Sequence, residues 1–125
     1  MAGLQAVGAQ ASVCERYLQT WSNAGHCRDC QLRIAADPKE QRYLVEASNG
    51  WKAELAFLNG QRSLAAGAGN WKLGLGHVYS GHHFSIVLMQ RSSELAMVMG
   101  IKVDGQRQII RAKFRCLGGA PDGSF

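Results

Sequence analysis

Along most of this chain apolar and polar residues alternate, the period of a half-buried strand and not of a helix. The alternation is cleanest toward the C-terminus. Leu95, Met97, Met99, Ile101 and Val103 share one face. After Asp104-Gly105, a two-residue hairpin turn, Ile110, Ala112, Phe114 and Cys116 continue it. That turn sets Val103 opposite Gln106, Met99 opposite Ile110, Met97 opposite Ala112 and Leu95 opposite Phe114. Upstream, Arg91 to Glu94 make the preceding turn, and Phe84, Ile86 and Leu88 carry the same inner face.

Around Asn49-Gly50 two registers compete. A two-residue loop would align Trp51, Ala53, Leu55 and Phe57 with Glu46 and Arg42. A three-residue loop, Ser48-Asn49-Gly50, aligns them with Ala47, Val45 and Tyr43 and sets Glu46 opposite Lys52. A one-residue slip exchanges the faces of a strand, so the apolar match selects the longer loop, with Gly50 left-handed in a bulge. Asn59-Gly60 predicts the next hairpin, pairing Leu55 with Leu64 and Ala53 with Ala66. Gly67 to Asn70 reads as a flexible joint. A strand then follows with Trp71, Leu73, Leu75, His77 and Tyr79 on one face, and Gly74 and Gly76 on the other suit sharp coiling. Its turn at Ser80-Gly81 would face Tyr79 with His82 and His77 with Phe84.

Nearer the N-terminus, Cys30, Leu32, Ile34 and Ala36 alternate until Asp37-Pro38 ends the run. Ser12 to Asn23 fits two patterns. Val13, Tyr17, Leu18 and Trp21 form a helical stripe, while Tyr17 to Asn23 equally reads as a strand. The expected fold is mainly β: an antiparallel up-and-down meander of about eight strands with a short N-terminal helix or irregular segment. No long amphipathic helix separates the strands, which argues against parallel βαβ units. Closing the meander into a small barrel removes its exposed edges; an open sheet covered by the N-terminal segment is the alternative. Residues 12–117 form the single β domain, between an apolar leader or disordered start at 1–11 and a flexible tail at 118–125.

Thr20-Trp21-Ser22-Asn23, followed by a Gly-containing loop and an alternating strand, resembles the first hairpin of avidin-type barrels. These belong with the lipocalins to the calycins, eight-stranded up-and-down barrels that bind small ligands. The resemblance implies that fold and makes Asn23 the match of a ligand-binding asparagine. Gln19 stands where lipocalins carry glycine. Cys30-Gln31-Leu32 after an early tryptophan is similar to the periplasmic metalloprotease-inhibitor barrel, which shares the architecture and binds an enzyme instead.

Composition narrows the class. A chain of 125 residues hides roughly two-thirds of its unfolded surface and needs no staple. With 46% hydrophobic and 18% charged residues it is a globular chain and not a disordered one. No run approaches the ~20 apolar residues of a membrane helix. Ala9-Gln10-Ala11 has the small-residue end of a secretory signal, with a site before Ser12, but a charged n-region is missing. Four cysteines, Cys14, Cys27, Cys30 and Cys116, are an even number. Together with the signal-like start they point toward a periplasmic or secreted protein with disulfides; a cytoplasmic protein with thiols or metal stays open.

Candidate chemistry is sparse. Cys27-Arg28-Asp29-Cys30 lets two thiolates reach one ion, and Cys14 and His26 complete the alternative zinc set; no cofactor is favoured over structural disulfides. The apolar face with Trp51, Trp71, Phe84, Met97 and Met99 either fills the barrel or leaves a cup for one apolar molecule. Asn23, His77, Tyr79 and His82 are polar candidates at its mouth. A loop from Ala24 to Asp29 would serve a protein-binding module instead. Lys102, Arg107, Arg111, Lys113 and Arg115 form an outward basic row. It suits a polyanion or nucleic acid, or simply a solvated face that guards an edge. The chain's net charge of +5 allows an acidic partner without requiring one. No nucleophile stands beside a base, so the reading leans to a non-catalytic binding protein.

Overall fold

The computed structural model describes residues 14–118 apart from His26. The expected leader, the tail beyond Gly118 and the His26 arm of the zinc alternative lie outside the described residues. Eight strands follow one another: β1 (Arg16–Ser22), β2 (Gln31–Asp37), β3 (Arg42–Ala47), β4 (Trp51–Leu58), β5 (Gln61–Trp71), β6 (His83–Arg91), β7 (Glu94–Val103) and β8 (Gln106–Cys116). Each pairs antiparallel with the next, and β8 pairs back onto β1 to close the barrel. Among the described residues no helix is long and apolar enough to cross a membrane.

The last three strands lie in the register their turns dictate. Leu95 faces Phe114, Met97 faces Ala112, Met99 faces Ile110 and Val103 faces Gln106. The three-residue loop also holds: Tyr43 faces Leu55, Glu46 faces Lys52, and Gly50 has φ 115°. The inner positions of β4 are all buried and its outer positions all exposed, the pattern of a wall wet on one side.

Three segments resolve or depart from the sequence reading. The first is the N-terminal one, where the strand alternative holds and the helical one does not: it forms β1. Thr20 bulges between Gln19, opposite Phe114, and Trp21, opposite Lys113. The extra residue reverses the alternation and turns Trp21 outward, 49% exposed.

The second is β5. Its Asn59-Gly60 turn forms with both residues at positive φ, but Leu58 faces Gln61 and Phe57 then faces Ala65. Residues 62–64 are bulged out, a shift of three that exchanges the faces. Leu55 therefore meets Gly67, not Leu64, and Ala53 meets Gly69, not Ala66. Close approach of the walls is the physical reason. A Cβ on Gly67 would run into the Glu54 carbonyl oxygen, and one on Gly69 into the Lys52 carbonyl and the Phe84 ring. The supposed joint at Gly67–Asn70 is thus continuous strand.

The third is the segment after Trp71. Residues 72–82 form a loop, and β5 pairs directly with β6: Gly69 faces Phe84 and Asn70 faces His83. Tyr79 does not face His82, nor His77 Phe84. Gly74 and Gly76 adopt φ 74° and 80°, which ends the strand instead of coiling it. Leu73, expected inward, is 84% exposed.

One end of the barrel is filled by Tyr17, Tyr43, Phe57, Leu95 and Phe114, all buried. Tyr43 packs on Phe57 with ring centroids 4.6 Å apart and donates its hydroxyl to the Arg62 carbonyl at 2.7 Å. Burial pushes its phenol up to about 12, outweighing the nearby Arg62 cation. Cys14 and Cys116 pair at this end, Cα atoms 5.8 Å apart, and tie the chain before β1 to the end of β8.

Candidate functional site at the barrel mouth

At the opposite end the β1–β2, β3–β4 and β5–β6 connections surround a cavity of about 260 Å³. Its walls and floor are inner side chains of the strands: Leu32, Trp51 and Trp71 near the mouth, and Met97, Met99, Ile110, Ala112 and Phe114 deeper in the barrel. Gln19, Ser22, Asn49, His77 and Tyr79 add polar edges, and the Cys27–Cys30 loop forms one rim.

Trp71 is the centre of this site. It faces Trp51 across β4 and β5, and Trp51 in turn packs edge-on against Phe84 at 5.5 Å. The 72–82 loop folds back so that His77 meets the Trp71 ring edge-on at 5.0 Å and Tyr79 stacks on it at 5.8 Å and 24°. The Tyr79 hydroxyl donates to Gln108 Oε1 at 3.0 Å, holding the loop against β8. Internal bonds brace the loop itself: the Leu75 amide donates to Ser80 Oγ and the Gly81 amide to the Lys72 carbonyl, both at 2.9 Å. Trp71 is only 6% exposed, and its indole Nε1 is buried without a hydrogen-bond partner. Such an unmet donor costs roughly 1–3 kcal/mol.

Of the nine residues read from sequence as ligand candidates, Trp51, Trp71, His77, Tyr79, Met97 and Met99 come together around this cavity. Phe84 supports Trp51 from the core. Asn23 and His82 are not among the cavity's walls. Both ends of the Asn23 amide bind β8 backbone: Nδ2 donates to the Ile109 carbonyl at 3.2 Å and Oδ1 accepts from the Arg111 amide at 2.8 Å. It fastens the seam between the first and last strands. His82 Nδ1 lies 3.1 Å from the Ser80 carbonyl oxygen, within its own turn. Gln19, Ser22, Asn49 and Gln108 were not singled out from sequence. Ser22 and Gln108 continue the inner rows of β1 and β8 toward the rim, whereas Gln19 lies within β1 opposite Phe114 and Asn49 in the β3–β4 turn, where no pattern marks them.

The cysteines separate into two pairs. Cys27 and Cys30 stand at disulfide distance within the rim loop, Cα atoms 5.6 Å apart. Cys14 lies before β1, beside the end of β8, whereas Cys27 and Cys30 lie in the β1–β2 connection at the other end of β1. Cys14 therefore pairs with Cys116 and does not join Cys27 and Cys30 around one ion. Among the described residues no group of three or more His, Cys, Asp or Glu is placed to hold a metal.

Lys102, Arg107, Arg111, Lys113 and Arg115 all point outward on β7 and β8 and are exposed. No protein-family model, curated protein or solved structure matches the chain.

Proposed function

We propose that this protein is a non-catalytic binder that takes one small, largely apolar molecule carrying a carbonyl or carboxylate oxygen into the barrel mouth, in the manner of calycin-type barrels. The observation that carries this reading is the buried, unpartnered Nε1 of Trp71 in the wall of an apolar cavity. Buried donors are nearly always satisfied, and this one, closed to water within the cavity wall, would gain a partner if a ligand oxygen displaced the His77 and Tyr79 rings packed on the indole. The space of about 260 Å³ fits a compact ligand and not an extended lipid. Met97 and Met99 supply adaptable walls. Pairing of all four cysteines supports an oxidising compartment, hence an exported protein.

Calorimetric titration with octanoate, cinnamate and cyclohexanone tests the reading. At least one should bind, and Trp71→Phe should weaken it about 5–10-fold, the worth of one hydrogen bond. Absence of binding by all three, or equal affinity in the variant, sinks it. A protein-binding module is the second reading. It is favoured by the Cys27–Cys30 brace, which presents exposed Arg28 and Asp29 on a short turn. Substituting Arg28 and Asp29 would abolish that activity and leave small-molecule binding intact.

A further inference from the structure

The outer surface along β8 carries a feature independent of the mouth. Arg107, Ile109, Arg111, Lys113 and Arg115 project outward in succession, roughly 7 Å apart. Lys102 stands directly opposite Arg107, a like-charge pair that destabilises a sheet. Gly100 leaves room for the Arg107 guanidinium to lie across β7, since a Cβ there would meet Arg107 Nη2 and Ser85 Oγ. Among the described residues the recorded ion pairs are those of Arg42 with Asp37 and Glu54, on the far side of the barrel, and none involves this row. Glu94, opposite Arg115, is the one acidic residue in register with it.

Beside the row lies the outcome of the Thr20 bulge. Trp21, turned outward opposite Lys113, is half exposed and borders a groove of about 400 Å³ shared with Thr20, Asn23 and Arg28. An indole held on a strand, with cations along one side and an arginine across the groove, has the two elements of single-strand recognition: a stacking platform and a backbone track. Base stacking on Trp21 needs an unpaired base, which selects a single strand over a duplex. The roughly 7 Å steps from Arg111 to Lys113 to Arg115, and the roughly 14 Å from Arg107 to Arg111 across Ile109, suit phosphates of an unstacked strand, stretched beyond the ~3.4 Å per charge of duplex strands.

We infer that this face binds single-stranded nucleic acid, with phosphates along Arg107, Arg111, Lys113 and Arg115 and a base stacked on Trp21. The test uses the whole protein and a fluorescently labelled oligothymidylate of about twelve nucleotides, with anisotropy read from ~20 to ~200 mM salt. Four phosphate contacts predict a slope of log K against log salt of about −3. Arg111→Ser with Lys113→Ser should flatten that slope by about 1.4. Trp21→Ala should lower affinity about tenfold and leave the slope unchanged. Undetectable binding at the lowest salt overturns the inference. So does equal competition by a heparin fragment of matched charge together with indifference to Trp21→Ala, which would reassign the row to sulfated glycans.

Discussion

Cys14–Cys116 should be the strongest single staple of this fold, and the two disulfides allow an internal comparison. The pair joins residues separated by 102 positions, across the seam where β1 meets β8. Cys27–Cys30 closes a ring of only three further positions. In the chain-entropy account a cross-link removes denatured-state freedom in proportion to the logarithm of the loop it closes. The long pair is then worth about 4.7 kcal/mol and the short pair about 1.9 kcal/mol at room temperature. Cys14→Ser with Cys116→Ser should therefore cost about 3 kcal/mol more than Cys27→Ser with Cys30→Ser. Equilibrium urea unfolding measures both. The m-value of the first variant should also rise, because its denatured chain is freer to expand. Equal losses in the two variants, or a larger loss from the short pair, would refute the reasoning. The long pair would then not be constraining the unfolded chain.

Three further expectations follow from particular contacts. Because folding raises the Tyr43 phenol from its ordinary value near 10 to about 12, its contribution is full below pH 10 and is lost as pH rises through 12; this amounts to on the order of 2 kcal/mol. Tyr43→Phe should flatten the alkaline limb of urea unfolding between those values; a limb of unchanged slope would contradict the assignment. Gly67→Ala should cost about 2–3 kcal/mol or prevent folding, as its Cβ meets the Glu54 backbone; a thermal melt unchanged from wild type would show that β5 sits differently. Arg111→Ser with Lys113→Ser should leave urea stability within about 0.5 kcal/mol, since exposed charges contribute little to folding. A larger loss would mean that the row is not on the outer face.

The registers of β3–β4 and β6–β8 were legible because Asn49-Gly50 and Asp104-Gly105 fix turn geometry and the apolar faces leave one choice. The count of eight strands survived a compensation. The N-terminal segment added β1, while the expected strand from Trp71 to Tyr79 dissolved into a loop and its start merged into β5. Alternation through Trp71, Leu73 and Leu75 looks the same in a strand and in a loop that happens to alternate. Only the positive φ of Gly74 and Gly76 separates the two. In β5 the more apolar face, Leu64 and Ala66, lost to Ala65, Gly67 and Gly69, because the distance to β4 decides which face fits and no local pattern records it. His77 and Tyr79 were read as mouth residues and stand there, but they arrive on a folded loop, not a strand. Asn23 was carried over from the avidin-like hairpin. Its amide is engaged with the backbone of β8, a strand nearly ninety residues away that no local motif could reveal.

The reading of the mouth as a binding cup rests on one unmet donor, and one resonance reports on it. With uniformly ¹⁵N-labelled protein, the three tryptophan indole signals can be followed while octanoate or cinnamate is added. The Trp71 Nε1–H resonance should move progressively to lower field as an acceptor reaches it, and Trp21, on the outer wall, should stay in place. A Trp71 signal that remains fixed to saturating ligand, or movement confined to Trp21, would contradict the account.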